Sequence, residues 1–149
     1  HYLRTGGKKE RLAHLTFDWT TKIVVNNVAG SRWKMPVPAG THDKLSTQLG
    51  MMAALARGET DFTFDIADGG KLKQYRFKVT GRETLKLPAG TFQTVKVARL
   101  RGDDQRKTDV WCAPKLSYLP VRIVHHEQDD AEYTSHLETF SESLQVMAK

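Results

Sequence analysis

The chain has 149 residues, 39% of them hydrophobic and 27% charged, with 23 Lys and Arg against 17 Asp and Glu. That length suits one domain with a single sizeable core over 1–149, and the mixed composition excludes a disordered tail. No apolar run approaches the roughly 20 residues of a membrane-crossing helix, and Cys112 is the only cysteine, so no intrachain disulfide forms.

The opening residues carry no basic-then-apolar export signal, so either the protein stays where it is made or the signal has been removed. The first regular pattern is period-2 alternation, with Ala13, Leu15, Phe17 and Trp19 on one side and His14, Thr16 and Asp18 on the other. Such alternation predicts a half-buried strand. Asn26-Asn27 and Ala29-Gly30 then read as turn punctuation. Pro38-Ala39-Gly40-Thr41 reads as a sharp turn, because proline fixes φ and glycine admits positive φ.

The rhythm changes over 43–57, where Leu45, Leu49, Met52 and Ala56 recur at helical spacing and Met51 and Leu55 widen the stripe. Thr41 or Asp43 caps the start of this predicted helix, and Gly58 lies just past its end. Alternation returns at Phe62, Phe64 and Ile66, and again at Tyr75, Phe77 and Val79. Between them Asp68-Gly69-Gly70 is the best hairpin signal in the chain. A second Pro-Ala-Gly-Thr at 88–91 leads into Val95 and Val97, a strand rather than a helix, so the tetrapeptide is one turn chemistry used twice and not a duplicated unit. Gly102-Asp103-Asp104 and Gln128-Asp129-Asp130 punctuate further runs at Val110-Trp111-Cys112, at Leu119, Val121 and Ile123, and at Tyr133, Ser135 and Leu137. Strands joined by short turns imply antiparallel neighbours. The predicted fold is mainly β: a curved antiparallel sheet or partly open barrel with one amphipathic helix at about 43–57 packed against it.

Two stretches carry a family resemblance. Thr84-Leu85-Lys86-Leu87-Pro88-Ala89-Gly90-Thr91-Phe92-Gln93-Thr94-Val95-Lys96-Val97, followed by Asp109-Val110-Trp111-Cys112-Ala113-Pro114-Lys115-Leu116-Ser117-Tyr118-Leu119-Pro120-Val121-Arg122-Ile123, resembles the bacterial domain of unknown function 3108 family. Leu15-Thr16-Phe17-Asp18-Trp19 and Ala67-Asp68-Gly69-Gly70-Lys71 agree with it. The resemblance implies an exported, periplasmic protein of Gram-negative bacteria with a largely antiparallel β fold, similar in outline to lipoprotein-carrier half-barrels and lipocalin-like barrels. It also implies a signal peptide and further strands upstream of the point matching His1. It brings no catalytic residues, because the family has no agreed activity.

Local chemistry is sparse. His125 and His126 of His125-His126-Glu127 point to opposite sides of a strand and cannot easily share an ion; His14, His42 and His136 lack ligand spacing, so no metal is predicted. Cys112 lies in an alternating strand and reads as a small apolar filler rather than a nucleophile. Asp61, Asp65 and Asp68 read as exposed strand and turn positions. No catalytic motif and no cofactor signature is present, which predicts a protein that is not an enzyme.

Two binding surfaces follow from the pattern. Phe17, Trp19, Phe62, Phe64, Tyr75, Phe77 and Trp111 fall on predicted inward faces and, with Leu49 and Met52 of the helix, either fill the core or line a cavity for a lipid-like ligand. Arg76, Lys78, Lys96 and Arg122 point away from those faces and form either a solvated sheet surface or a basic patch for an anionic envelope ligand. Nucleic acid is not an expected partner, since the basic residues are not interleaved with exposed aromatics. The leading expectation is a periplasmic, non-enzymatic binder or carrier of an apolar or amphipathic ligand. The alternative is an envelope scaffold that uses its basic face or pairs through leftover sheet edges, with a partner or a second copy.

Overall fold

The computed structural model describes residues 2–4, 11–28, 30–100, 107–127 and 131–141. In chain order its elements are β1 (Tyr2–Arg4), β2 (Arg11–Asp18), β3 (Ile23–Val28), β4 (Ser31–Pro36), α1 (Ser46–Ala56), β5 (Asp61–Asp68), β6 (Lys71–Leu87), β7 (Gly90–Arg99), β8 (Lys107–Ala113), a 3-10 turn (Pro114–Leu116), β9 (Leu119–His126) and β10 (Glu132–His136). Mainly β structure with one α-helix therefore stands. The strands form two antiparallel sheets, a four-stranded one in the order β1-β2-β3-β4 and a six-stranded one in the order β10-β9-β8-β7-β6-β5. Neither closes into a barrel among the described residues. The predicted turns at 102–104 and 128–130 lie outside those residues.

The chain gathers into two compact units, His1–Thr47 with Phe64–Gln74, and Gln48–Thr63 with Tyr75–Lys149. In the first, cross-strand register aligns Leu15 and Phe17 of β2, Val24 and Asn26 of β3, and Trp33 and Met35 of β4 on one face. Buried Val24, Val37 and Ala67 form its core, with Leu15, Phe17 and Met35 packed against them. Asn26-Asn27 is not a turn: both residues pair within β3, and the chain reverses at Gly30, whose φ is 84°.

Asp68-Gly69-Gly70 makes the expected hairpin, with φ of 60° at Gly69 and 78° at Gly70. Positive φ at both loop positions is what a type I′ turn requires. Gly70 is needed for a second reason, because a Cβ there would stand 1.3 Å from the Trp33 ring. Beside the turn, Asp68 bonds Lys73 at 2.8 Å and pairs with Lys44 at 3.1 Å. Burial is the largest single influence on the Asp68 carboxyl and pushes it up, but the two lysines together outweigh it and hold the group below its ordinary value. His42 forms a parallel bridge with Ile66, donating its N–H to the Asp65 carbonyl and accepting from the Ala67 N–H, so part of the outer edge of β5 is covered.

The two Pro-Ala-Gly-Thr segments prove to be different turns. Thr41 N–H closes the first onto the Pro38 carbonyl with Gly40 at φ 82°, whereas the second is a two-residue hairpin loop, Pro88-Ala89, and Gly90 opens β7 at φ 130°. Asp43 starts α1 with a reciprocal cap. Its carboxylate accepts from Leu45 and Ser46 N–H, while Ser46 Oγ accepts from Asp43 N–H.

In the second unit the helix ends with Gly58 N–H on the Leu55 carbonyl and Glu59 N–H on the Ala54 carbonyl, at a Gly58 φ of 81°. This is the Schellman arrangement. The helix spans 46–56 rather than 43–57, and its buried side chains are Thr47, Met51, Ala54 and Leu55. Met51 and Leu55 of the predicted stripe are thus buried, but Leu45 precedes the helix and both Leu45 and Leu49 are about two-thirds exposed, so the stripe expected through these two leucines lies off the buried face. Thr47 explains the error: its hydroxyl bonds the Asp43 carbonyl, which lets a polar residue occupy the covered side.

In the six-stranded sheet, Val79 pairs with Val97 but Gly81 pairs with Lys96, leaving Thr80 as a bulge. A second register shift lies between Trp111 and Cys112, which face Arg122 and Pro120. Side chains of β8 are buried on both faces from Thr108 to Ala113, so alternation fails there.

Gly70→Ala meets both the φ restriction and the Trp33 ring, whereas Gly58→Ala meets only the φ restriction, with open space around its Cβ. Urea denaturation should show a loss of about 1 kcal/mol for Gly58→Ala and at least twice that for Gly70→Ala. Equal losses would mean that the Trp33 contact contributes nothing.

Candidate functional site

Register places one row of side chains across five strands: Gly81 of β6, Lys96 of β7, Trp111 of β8, Arg122 of β9 and His136 of β10. Trp111 is its centre. The Lys96 ammonium lies 4.7 Å from the indole centroid and the Arg122 guanidinium 4.9 Å, one from each neighbouring strand. The ring is only 6% exposed, so it braces the two cations rather than offering a stacking platform. Its Nε1–H donates to Glu83 Oε2 at 3.1 Å, and Glu83 Oε1 lies 3.8 Å from Lys96.

The next row on this face is centred on Asp109, a buried carboxylate. Its Oδ2 is 3.1 Å from Lys107, 3.6 Å from His126 and 3.9 Å from Lys96, while Oδ1 has no hydrogen-bond partner. His126 reaches on to Glu132 of β10 at 3.4 Å. His125 turns the other way and contacts Thr108 Oγ1 at 3.0 Å, so the two adjacent histidines do serve opposite faces. No group of metal-ligating side chains assembles among the described residues.

The predicted basic residues Arg76, Lys78, Lys96 and Arg122 share this one face by register, but the face is not simply basic. Arg76 is bound by Asp61 through two bonds of 2.8 and 2.6 Å, and its hydrogen bond holds the Asp61 carboxyl below its ordinary value. Lys96 is shared between Glu83 and Asp109. Lys78 and Arg122 have no carboxylate within ion-pair reach among the described residues. Three carboxylates that the sequence could not place, Glu83, Asp109 and Glu132, arrive on the face through the ladder and offset its charge.

The predicted apolar lining divides between the two units. Phe17 is half-buried and stacks at 5.1 Å on Trp19, which is 52% exposed and not inward-facing. Phe64 is half-buried, with its ring 5.0 Å from that of His42. In the second unit Phe62 and Phe77 are buried and stacked at 5.8 Å. Tyr75 lies under the Arg99 guanidinium at 4.2 Å, Met52 is half-buried and Leu49 is 66% exposed. Trp111 is buried as expected, but not on the face of Phe77. Phe77 aligns with Arg99 and so with Val97, Val110 and Cys112, whereas Trp111 is on the opposite face with Lys96 and Arg122.

A small open depression of about 170 Å³ lies at the sheet rim, lined by Arg82, Glu83, Thr84, Gln93, Thr94 and Pro114. No aromatic lines it. Pro114 starts the reversal between β8 and β9, where Ser117 and Tyr118 both hold left-handed φ, 54° and 62°.

The last element, β10, is the edge of the six-stranded sheet, with all five side chains exposed and Tyr133 60% exposed. Leu137 N–H bonds the Val121 carbonyl and Glu127 N–H bonds the Ala131 carbonyl, so odd-numbered residues face β9. The backbone groups of Glu132, Thr134 and His136 therefore point outward.

Antiparallel β sheets, one with an edge strand that no other strand pairs among the described residues and with a charge-balanced, tryptophan-braced face, are the class that this geometry defines. The chain belongs to the DUF3108 family, described as protein of unknown function, whose model matches residues 1–137. No curated protein and no solved structure matches it. Among the described residues no helix is long and apolar enough to cross a membrane.

Cys112 is fully buried, and burial pushes its thiol up to about 12. The raised value means that the neutral buried thiol stabilises the fold fully below about 9, the ordinary value, and that this contribution fades as pH climbs toward 12. At pH 8 the native chain should leave a chromogenic disulfide reagent unreacted and the unfolded chain should release one equivalent. Rapid reaction of the native chain would place the thiol at the surface.

Proposed function

We propose that this protein is a non-catalytic interaction module that binds an extended partner strand along β10. The observation that carries the reading is the uncovered edge itself: five exposed side chains, outward-facing backbone groups at Glu132, Thr134 and His136, and no strand beyond among the described residues. Unpaired edge groups are templates for strand addition, and folded proteins commonly guard them with lysine, proline or a covering segment. Two of the other described edges carry such guards. Strand β4 has Arg32, Lys34 and Pro36, and the bridge at His42 covers part of β5. Strand β10, Glu-Tyr-Thr-Ser-His, has none of them. The exported character implied by the family resemblance supports the periplasm as the place where the partner is met.

A photo-crosslinking residue in place of Tyr133, expressed in cells, should give adducts larger than the monomer, and the same residue in place of exposed Lys34 on guarded β4 should not. Monomer alone at position 133 would overturn the reading.

One observation favours a second reading, an amphipathic ligand on the first unit. Asn26 is 2% exposed among apolar neighbours, and neither amide atom has a partner. An unpaired buried amide costs about 1–3 kcal/mol, and a ligand carbonyl or hydroxyl would relieve it, with the Phe17–Trp19 stack beside its apolar part. Native mass spectrometry should then find a co-purifying lipid-sized mass that Asn26→Leu abolishes. Bare protein in both cases would remove this reading.

A further inference from the structure

We infer that the strand β10 accepts is β10 of a second copy of this chain, paired antiparallel about a two-fold axis at Thr134. The inference rests on the edge-pairing reading above and names its partner.

The segment Glu132-Tyr133-Thr134-Ser135-His136 is self-complementary in that register. Thr134 faces the partner's Thr134, Tyr133 faces the partner's Ser135, and Glu132 faces the partner's His136. By symmetry both ends of the seam carry an acid opposite an imidazole. Backbone chemistry selects the same alignment. Outward N–H and C=O groups belong to Glu132, Thr134 and His136, and a centre at Thr134 places each of them opposite another of the three. A shift of one residue would set outward groups against residues that already face β9, and the ladder would be lost.

Side-chain charge continues across the seam. On one copy Lys107, His126 and Glu132 form a cross-strand row, and on the same face His136 is flanked by Arg122. Joining the copies sets Glu132 between its own His126, 3.4 Å away, and the partner's His136. The acid at the end of one row then meets the basic end of the other. On the reverse face the two exposed Tyr133 rings each cover the partner's Ser135, an aromatic–hydroxyl pairing that removes the most exposed apolar side chain of the strand from water.

The test uses the full chain with Thr134→Cys. Directly opposed hydrogen-bonded residues have Cα atoms about 5.5 Å apart, within the roughly 4.4–6.8 Å that a disulfide spans. Ser135→Cys would put the two sulfur-bearing residues about 8 Å apart, beyond that reach. Buried Cys112 does not compete. Under mild oxidation Thr134→Cys should form a covalent dimer and Ser135→Cys should remain monomeric. Sedimentation of the unmodified chain should show a monomer–dimer equilibrium. Thr134→Pro, which removes an outward N–H and leaves the β9 ladder intact, should abolish the dimer. His136→Glu should weaken association at least tenfold, and the double variant Glu132→Lys/His136→Glu should restore it. A sedimentation monomer at all concentrations, or a dimer bridged at 135 and not at 134, would overturn the inference. If that monomer still gives Tyr133 adducts of a different mass in cells, the edge reading survives without self-pairing; if it gives none, both fall.

Discussion

A single extra residue in β6 decides which side chains can meet on the six-stranded sheet. Before Thr80 the odd-numbered residues Tyr75, Phe77 and Val79 align with Val97 and the buried face it shares with Val110 and Cys112. After the bulge the odd-numbered residues Glu83, Leu85 and Leu87 are on the other face, with Thr94, Phe92 and Trp111. A strand has period two, so one inserted position exchanges its faces. Without that exchange Glu83 would point away from Trp111, and the indole N–H, in a buried ring, would lose its acceptor. Leu85 and Leu87 would likewise leave the cluster of Phe92, Trp111, Ala113, Val121 and Val124.

The bulge therefore joins an apolar half and a charged half on one face. Toward the β6–β7 hairpin the face is oily; toward β10 it is a ladder of Lys96, Asp109, Lys107, His126 and Glu132. Trp111 belongs to both, buried by the first and bracketed by cations of the second. Each cation–π contact contributes about 0.5–2 kcal/mol, more where water is excluded. Asp109 would be costly alone at that depth, and two lysines and the His126 ring within 4 Å offset the cost. Because His126 touches both Asp109 and Glu132, the edge strand is tied electrostatically to the buried acid of β8.

Much of the fold is legible in the chain because alternation and glycine turns are local signals. Asp68-Gly69-Gly70 announces its hairpin, and Phe62, Phe77, Val95 and Val97 are buried as their spacing requires. Strands β3 and β4 are hard to read although Trp33 and Met35 alternate with Arg32 and Lys34; Asn26-Asn27 resembles a turn, and a buried, unpaired asparagine is not what polarity suggests. Trp111 is buried as an inward position requires, but on the face opposite Phe77, because β8 is covered on both sides, which erases the period-2 contrast. The candidate site is less legible still. Glu83, Asp109 and Glu132 stand far apart in sequence, and pairing from β6 across to β10 brings them to one face.

The same logic explains why the most family-specific stretch, Trp111 to Arg122, has structural weight. It holds the centre of the cation–π row, then Pro114, two consecutive left-handed residues and the Val121 register shift before Arg122 returns beside Trp111. Left-handed φ at Ser117 and Tyr118 costs about 1–2 kcal/mol per residue. The reversal is fixed by Ser117 N–H on the Pro114 carbonyl and Tyr118 N–H on the Ala113 carbonyl. Were that turn one residue longer or shorter, Arg122 would move to the face of Val110, and the strand carrying Glu132 and His136 would be re-registered with it. Which residues β10 presents at the sheet edge is thus set at the turn between β8 and β9 and the Val121 shift beside it, while the bulge of β6, four strands inward, sets which residues of β6 face Trp111.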